Sequence, residues 1–261
     1  MKLQLLPSTI ENGAVSAKQH LSCFVVDDLV SIDAGSLAIS ANELQRKQIR
    51  DVVLTHAHID HIAGLPLFID DLFAEIAKPV EVYASQEIID ILERDIFNWD
   101  VYPRFSALEN EHGAVMKYRP FVVGKTFKVE HLEITPIAVN HKVPAVGFIV
   151  SDGISKFAIT GDTAEMDQFW TAVNQEEGID ALLIECAFPT RLDELAQISH
   201  HMTPSRLENE LKKFNDKSCP IYVINMKPSY YREVLDELES LDIENVKILE
   251  VGREYEMGEA E

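Results

Sequence analysis

Apolar and polar positions follow two rhythms along this chain, one of period two and one of three to four, and their alternation predicts the elements. Residues 21–33, LSCFVVDDLVSID, hold two apolar runs around an Asp-Asp pair, which predicts two short strands joined by a turn and ended by Ala-Gly-Ser. A helical spacing over 41–50 predicts a short helix, and DVVLT at 51–55 is apolar on both faces, as a central strand requires. From 62 to 78 the apolar positions return every three or four residues, with Pro66 tolerated only near the helix start. A strand at 80–84 and a helix over 85–98, with Ser85 as its N-cap, come next. The middle of the chain reads as strands broken by Gly124 and Asp152-Gly153. After Asp162, helices are predicted near 164–176, over 204–214 and near 229–240, and strands at 181–185, 221–225 and 246–251. Two halves of strands and helices facing each other predict an α/β fold, a four-layer αββα sandwich. With no repeat, low-complexity tract or linker, residues 1–261 are read as one domain.

Composition adds limits. At 261 residues and 46% hydrophobic, the chain can bury a core without a cofactor to hold it together. Lys and Arg number 23 against 44 Asp and Glu, a formal charge of -21, so the long-range field repels polyanions. No Lys/Arg cluster supplies the basic stripe on which nucleic-acid binding depends. A positive pocket made by metal ions would not appear in that count. Cys23, Cys186 and Cys219 are widely spaced in apolar surroundings, which predicts free thiols in a reducing compartment. The opening MKLQLLPSTIENG has too short an apolar run for a signal peptide, and nowhere do about 18 apolar residues run together as a membrane span needs. A soluble cytoplasmic protein with no membrane partner is expected.

The strand at 51–55 runs directly into the densest chemistry in the sequence. In THAHIDH, His56, His58, Asp60 and His61 fall within six positions, at the carboxyl end of a central strand, where open α/β sheets place their ligands. On an extended loop, residues two apart share a side, so His56, His58 and Asp60 converge while His61 faces a neighbouring point. Imidazole and carboxylate together suit zinc, iron or manganese rather than calcium or magnesium. That spacing invites two metals side by side, and paired cations hold a hydroxide at neutral pH and clamp phosphoryl or carbonyl oxygens.

THAHIDH resembles the H-x-H-x-D-H signature of the metallo-β-lactamase superfamily. VNHKV supplies His141 and ITGDT supplies Asp162 at a strand end, in the superfamily's order. The resemblance implies an αββα sandwich with a binuclear site at its edge. His56, His58 and His141 would hold one divalent ion, Asp60 and His61 the other, and Asp162 both; zinc is expected, with iron or manganese as alternatives. Five stretches, THAHIDHIAGLP, RDIFNWDVYPRF (94–105), LLIECAFP (182–189), HHMTP (200–204) and VINMKP (223–228), together resemble the class II 3′,5′-cyclic-nucleotide phosphodiesterases. That resemblance spans Asp33 to Pro228. It implies a phosphodiesterase that opens the 3′ ester of cAMP or cGMP to the 5′-monophosphate through a metal-bridging hydroxide. Asp60, Glu185 and His201 would carry the catalysis, Glu185 orienting His201 as it gives a proton to the departing 3′-oxygen. The expected partner is a small cyclic nucleotide rather than nucleic acid, and the chain can form a homodimer.

Some residues depart from the pattern or fall beside it. Where the superfamily has the histidine of T-H-I-K-P, this chain has Asn225, whose neutral amide oxygen is a weaker metal donor. The second metal position is then looser, partly occupied or helped by His200, although His200 reads first as a surface residue. Asn98 and Trp99 are either a base-stacking wall or ordinary packing. Three alternative functions stand beside the first. A tRNA 3′-end nuclease is opposed by the -21 charge and by the lack of a basic Gly/Pro-rich arm. A di-iron oxygen or electron carrier would have Glu in place of a motif histidine. A non-catalytic sensor draws support from Asn225 alone.

Overall fold

The structure, a computed structural model, describes residues 1–241, 243 and 245–258. Two seven-stranded sheets lie face to face. The first runs, edge to edge, Met116–Pro120, Val80–Ala84, Asp51–Val53, Val30–Ile32, Phe24–Val26, Lys2–Leu5 and Glu254–Glu256. The second runs Phe127–Val129, Leu132–Ala138, Val146–Ser151, Lys156–Ile159, Ala181–Glu185, Ile221–Ile224 and Val246–Ile248.

Alternation within single strands produces the layers. Val53 points into the core between the sheets with Phe148, Phe157 and Leu183, whereas its neighbours Val52 and Leu54 pack outward on Leu65, Phe68 and Ile88. In the second sheet Leu183 faces inward, and Leu182 and Ile184 face Trp170, Leu207 and Val234 on the other flank. Three apolar layers therefore separate four layers of backbone, which is the αββα sandwich. Strands Val30–Ile32, Asp51–Val53 and Val80–Ala84 are parallel, as are Lys156–Ile159, Ala181–Glu185 and Ile221–Ile224. The loops at their carboxyl ends supply the site.

Several predicted helices are shorter than their patterns. The run over 62–78 is two pieces, Ile59–Ile62 and Gly64–Leu72, and Pro66, with no N–H to give, sits in the first turn of the second. Ser85 does cap its helix, accepting from the Ile88 N–H, but Gln86–Ile91 then widens into a π-helical turn over Leu92–Ile96. The helix near 164–176 is confined to Gln168–Val173. Unanticipated are the helix Asp193–Ser199 and the strands Lys2–Leu5 and Glu254–Glu256. The N-terminal strand lies between Phe24–Val26 and the C-terminal strand, antiparallel to both. Among the described residues no helix is long and apolar enough to cross a membrane, and the three cysteines are buried and free.

Candidate metal centre

Asp33 organises the site from beneath. It leaves the strand Val30–Ile32 in the left-handed region, φ 58°, and so turns its carboxylate onto the next loop. There it accepts from the Thr55 N–H at 2.8 Å, from the Thr55 hydroxyl at 2.8 and 2.9 Å, and from His61 Nδ1 at 2.6 Å. Thr55 has one hydroxyl hydrogen and gives it to Asp33, so its oxygen can only accept from His56 Nδ1–H, 3.0 Å away. That fixes the tautomer: His56 presents a bare Nε2 lone pair. This nitrogen is fully buried, has no hydrogen-bond partner, and lies 3.8 Å from Asp162 Oδ2. A buried imidazole lone pair without a donor fits a metal ligand, and little else satisfies it.

The other donors arrive from both sheets. Asp162 follows the strand Lys156–Ile159 through Gly161, whose positive φ of 63° lets the backbone turn close against Thr55. His141 Nδ1–H donates to the His200 carbonyl at 3.1 Å, and its Nε2 meets His58 Nδ1 at 3.1 Å. His56, His58, His141 and Asp162 thus offer four ligand atoms all within 4.8 Å of one another, and Asp60, His61 and the same Asp162 form a second such group. These are the six residues expected from THAHIDH, VNHKV and ITGDT, divided between two donor sets that share Asp162. Such donors would hold a divalent ion of the zinc, iron or manganese type.

Protonation follows burial and neighbours. Burial, then the adjacent His61, holds His56 well below the usual histidine range; burial also lowers His58 and brings His141 to about 4. All three are neutral at pH 7, as ligation requires. For His61 burial acts downward, but Asp33 and Asp162 on either side outweigh it and hold it well above the usual range. Burial pushes Asp162 up, yet His61 and His56 pull it well below an ordinary carboxylate.

Glu185 and His201 meet beside this cluster. Glu185 ends the strand Ala181–Glu185, is fully buried, and accepts from His201 Nδ1 at 2.7 Å, the Thr163 N–H at 2.9 Å and the Met202 N–H at 3.3 Å. Burial lowers His201, but the Glu185 charge prevails and raises it, while burial raises Glu185. Donor atoms of Asp162, Glu185 and His201 also lie within 4.8 Å of one another.

Other expectations need correction. The His200 ring turns to Asn140 Oδ1 at 2.9 Å and its backbone, left-handed at φ 56°, lends only a carbonyl to His141, so it does not help the second donor set. Trp99 is not core packing: it is 58% exposed, at φ 74°. Asn98 spends its amide on the backbone of Arg94, Asp100 and Val101, which closes a turn rather than opening a base pocket. Asn225 touches Asp162 through its amide NH₂, not its oxygen. Sequence reading passed over four residues that shape the site, Asp33, Thr55, Gln19 and Lys227. Thr55 and Lys227 sit inside quoted motifs, and Asp33 ends a predicted strand; Gln19 carries no local signal.

A model of the beta-lactamase superfamily domain matches residues 29–221. The chain belongs to that superfamily. Among this superfamily member's relatives, a probable 3′,5′-cyclic-nucleotide phosphodiesterase of Yersinia pestis is 28% identical over 211 residues, 71% of this chain and 59% of that protein. The chain thus spans less than two thirds of that relative's length. A chloroplastic tRNase Z of Arabidopsis thaliana is 24% identical over 138 residues, 52% of this chain and 36% of that protein. The crystal structure of unliganded yeast PDE1 superposes with a TM-score of 0.75 at 17% identity, covering 97% of each chain. At that identity the likeness speaks for the fold, and the fold is the one expected from the sequence.

Proposed function

We propose that this superfamily member is a metal-dependent phosphodiesterase that opens the 3′ ester of a 3′,5′-cyclic nucleotide, cAMP or cGMP, to the 5′-monophosphate. The observation that carries the reading is the Glu185–His201 pair, 2.7 Å apart and packed against Asp162. A bound divalent ion, zinc or with the same donors iron or manganese, would ease deprotonation of water and polarise a phosphoryl oxygen. His56, His58, His141 and Asp162 are the residues to hold it.

The chain's own groups supply the rest. Glu185 holds the His201 ring by Nδ1–H, which leaves Nε2–H of the imidazolium as the proton to give. As a water oxygen bonds to phosphorus and the P–O3′ bond breaks, the Nε2 proton passes to O3′. Asp60, beside His61 and Asp162, takes the proton of the attacking water. The likeness to the Yersinia phosphodiesterase supports a cyclic-nucleotide substrate, and the -21 charge favours a small substrate over RNA.

The test is turnover of cAMP, cGMP, a pre-tRNA and a generic phosphodiester, with metal content recorded on the same sample. Cyclic-nucleotide hydrolysis to the 5′-monophosphate is expected, and His201→Ala should reduce kcat by about 10²–10⁴-fold with metal retained. Pre-tRNA cleavage without cyclic-nucleotide turnover would replace this reading with the nuclease, and loss of metal in His201→Ala would make His201 a ligand.

A further inference from the structure

The two donor sets are not equivalent. In the first, His56 Nε2 has no partner and faces Asp162 Oδ2, and the contact of His141 Nε2 with His58 Nδ1 at 3.1 Å joins two imidazoles, each able to turn a lone pair to a cation. In the second, the groups already answer one another. Gln19 Oε1 accepts from the Asn225 backbone N–H at 3.2 Å, which turns the Gln19 NH₂ onto Asn225 Oδ1 at 3.0 Å. The Asn225 oxygen is thereby used up, and its NH₂ must face Asp162 Oδ1, at 2.7 Å. An N–H donor cannot ligate a cation, so the side chain at the place of the superfamily's last histidine presents the wrong polarity to a metal. Asp162 Oδ1 also lies 3.4 Å from His61 Nε2. The remaining member, Asp60, is ion-paired through Oδ2 with Lys227 Nζ at 3.2 Å. Lys227 is half-buried and shares the wall of a small cavity with Asp60, His61 and Asp162, so its ammonium brings positive charge to the cavity that the second donor set lines.

We propose that the chain binds one divalent ion tightly, at His56, His58, His141 and Asp162, and that the Lys227 ammonium and the Asn225 amide serve the neighbouring position, gripping the phosphoryl oxygen that a second ion would hold. This rests on the metal-dependent reading above and replaces the second ion that the superfamily resemblance implies with a lysine. A lysine can do this as a compact point charge, without the geometric demands of a metal.

Zinc loading followed by exhaustive dialysis and elemental analysis reads the number of ions per chain without reference to turnover. One ion is expected for the natural chain and two for Asn225→His, which puts an imidazole lone pair where the NH₂ stands. Two tight ions in the natural chain would overturn the proposal. None would overturn it together with the metal-dependent reading, whereas one ion with no phosphodiester hydrolysed would leave it standing and defeat that reading alone. Lys227→Met provides a second route should Asn225→His not fold. Its affinity for inorganic phosphate, measured by calorimetry on the zinc-loaded protein, should weaken by tenfold or more, and an unchanged affinity would remove Lys227 from the role.

Discussion

Thr55 shows how much one hydroxyl decides. Because its proton goes to Asp33, it sets the tautomer of His56, and by sharing the Asp33 carboxylate with His61 it ties both donor sets to one support. Thr55→Val keeps the shape and removes the hydroxyl; metal affinity should fall by about 10–100-fold, read by competition with a chelator. Unchanged affinity would show that packing alone orients the two rings. His201 carries the pH dependence. Burial acts downward on it, but the Glu185 charge outweighs burial and raises it, so it holds its proton to higher pH than an ordinary histidine and loses it as pH climbs through the raised value. The alkaline limb of the rate profile should therefore belong to His201. In Glu185→Gln the raising charge is gone while burial still acts downward, and that limb should move to lower pH in a kcat–pH series. A limb that stays in place would assign it to another group. His56, His58, Asp60 and His61 were legible as candidate ligands because close spacing of imidazoles after a β-run has few other uses, whereas His141 and Asp162, far along the chain, were legible only through the superfamily resemblance. Asp33, Thr55 and Gln19 were not legible, since each acts by directing a neighbour's hydrogen bond across the fold.

At the scale of elements, the site depends on three loops that cross one another. Ser22 donates its N–H to the Asp60 carbonyl at 2.8 Å, Gly35 donates to the Ser22 carbonyl at 2.8 Å, and Ala34 donates to the His61 carbonyl at 2.7 Å. Gly35 lies so close that a Cβ there would collide with the Asp60 carbonyl and sit 2.8 and 2.9 Å from the Ser22 backbone. Gly35→Ala should cost about 1–3 kcal/mol and displace the segment bearing Asp60 and His61. A lowered melting temperature with reduced metal content would show it; full metal retention would mean that the loops yield elsewhere. Strand positions were read closely from apolar runs, and Ala181–Glu185 matches its prediction residue for residue. Helix ends were read less well. The pattern over 62–78 continues beyond Leu72, but periodicity alone does not report where backbone bonding stops, nor that Leu92–Ile96 adopts a wider turn.

For the whole molecule, a formal charge of -21 accompanies a site proposed to take an anion. Approach of a negatively charged nucleotide should be slowed at low ionic strength and helped by screening, as the Debye length falls from about 30 Å at 0.01 M salt to about 8 Å at 0.15 M. A rise in kcat/KM for cAMP over that range is expected, with kcat little changed; a fall would point to a local positive field strong enough to overcome the surface. The four-layer arrangement was legible because Val52 and Val53, or Leu182 and Leu183, divide between opposite faces. The outer order of the first sheet was not, because its last two strands come from opposite ends of the described chain and are only four and three residues long. Lys2 and Glu254, 252 positions apart in sequence, are bonded neighbours on that sheet. Because Lys2–Leu5 precedes its partner Glu254–Glu256 in the chain, its far side has no β-partner during synthesis until residues 254–256 have left the ribosome. Through that interval an unpaired β-edge is exposed to other nascent chains.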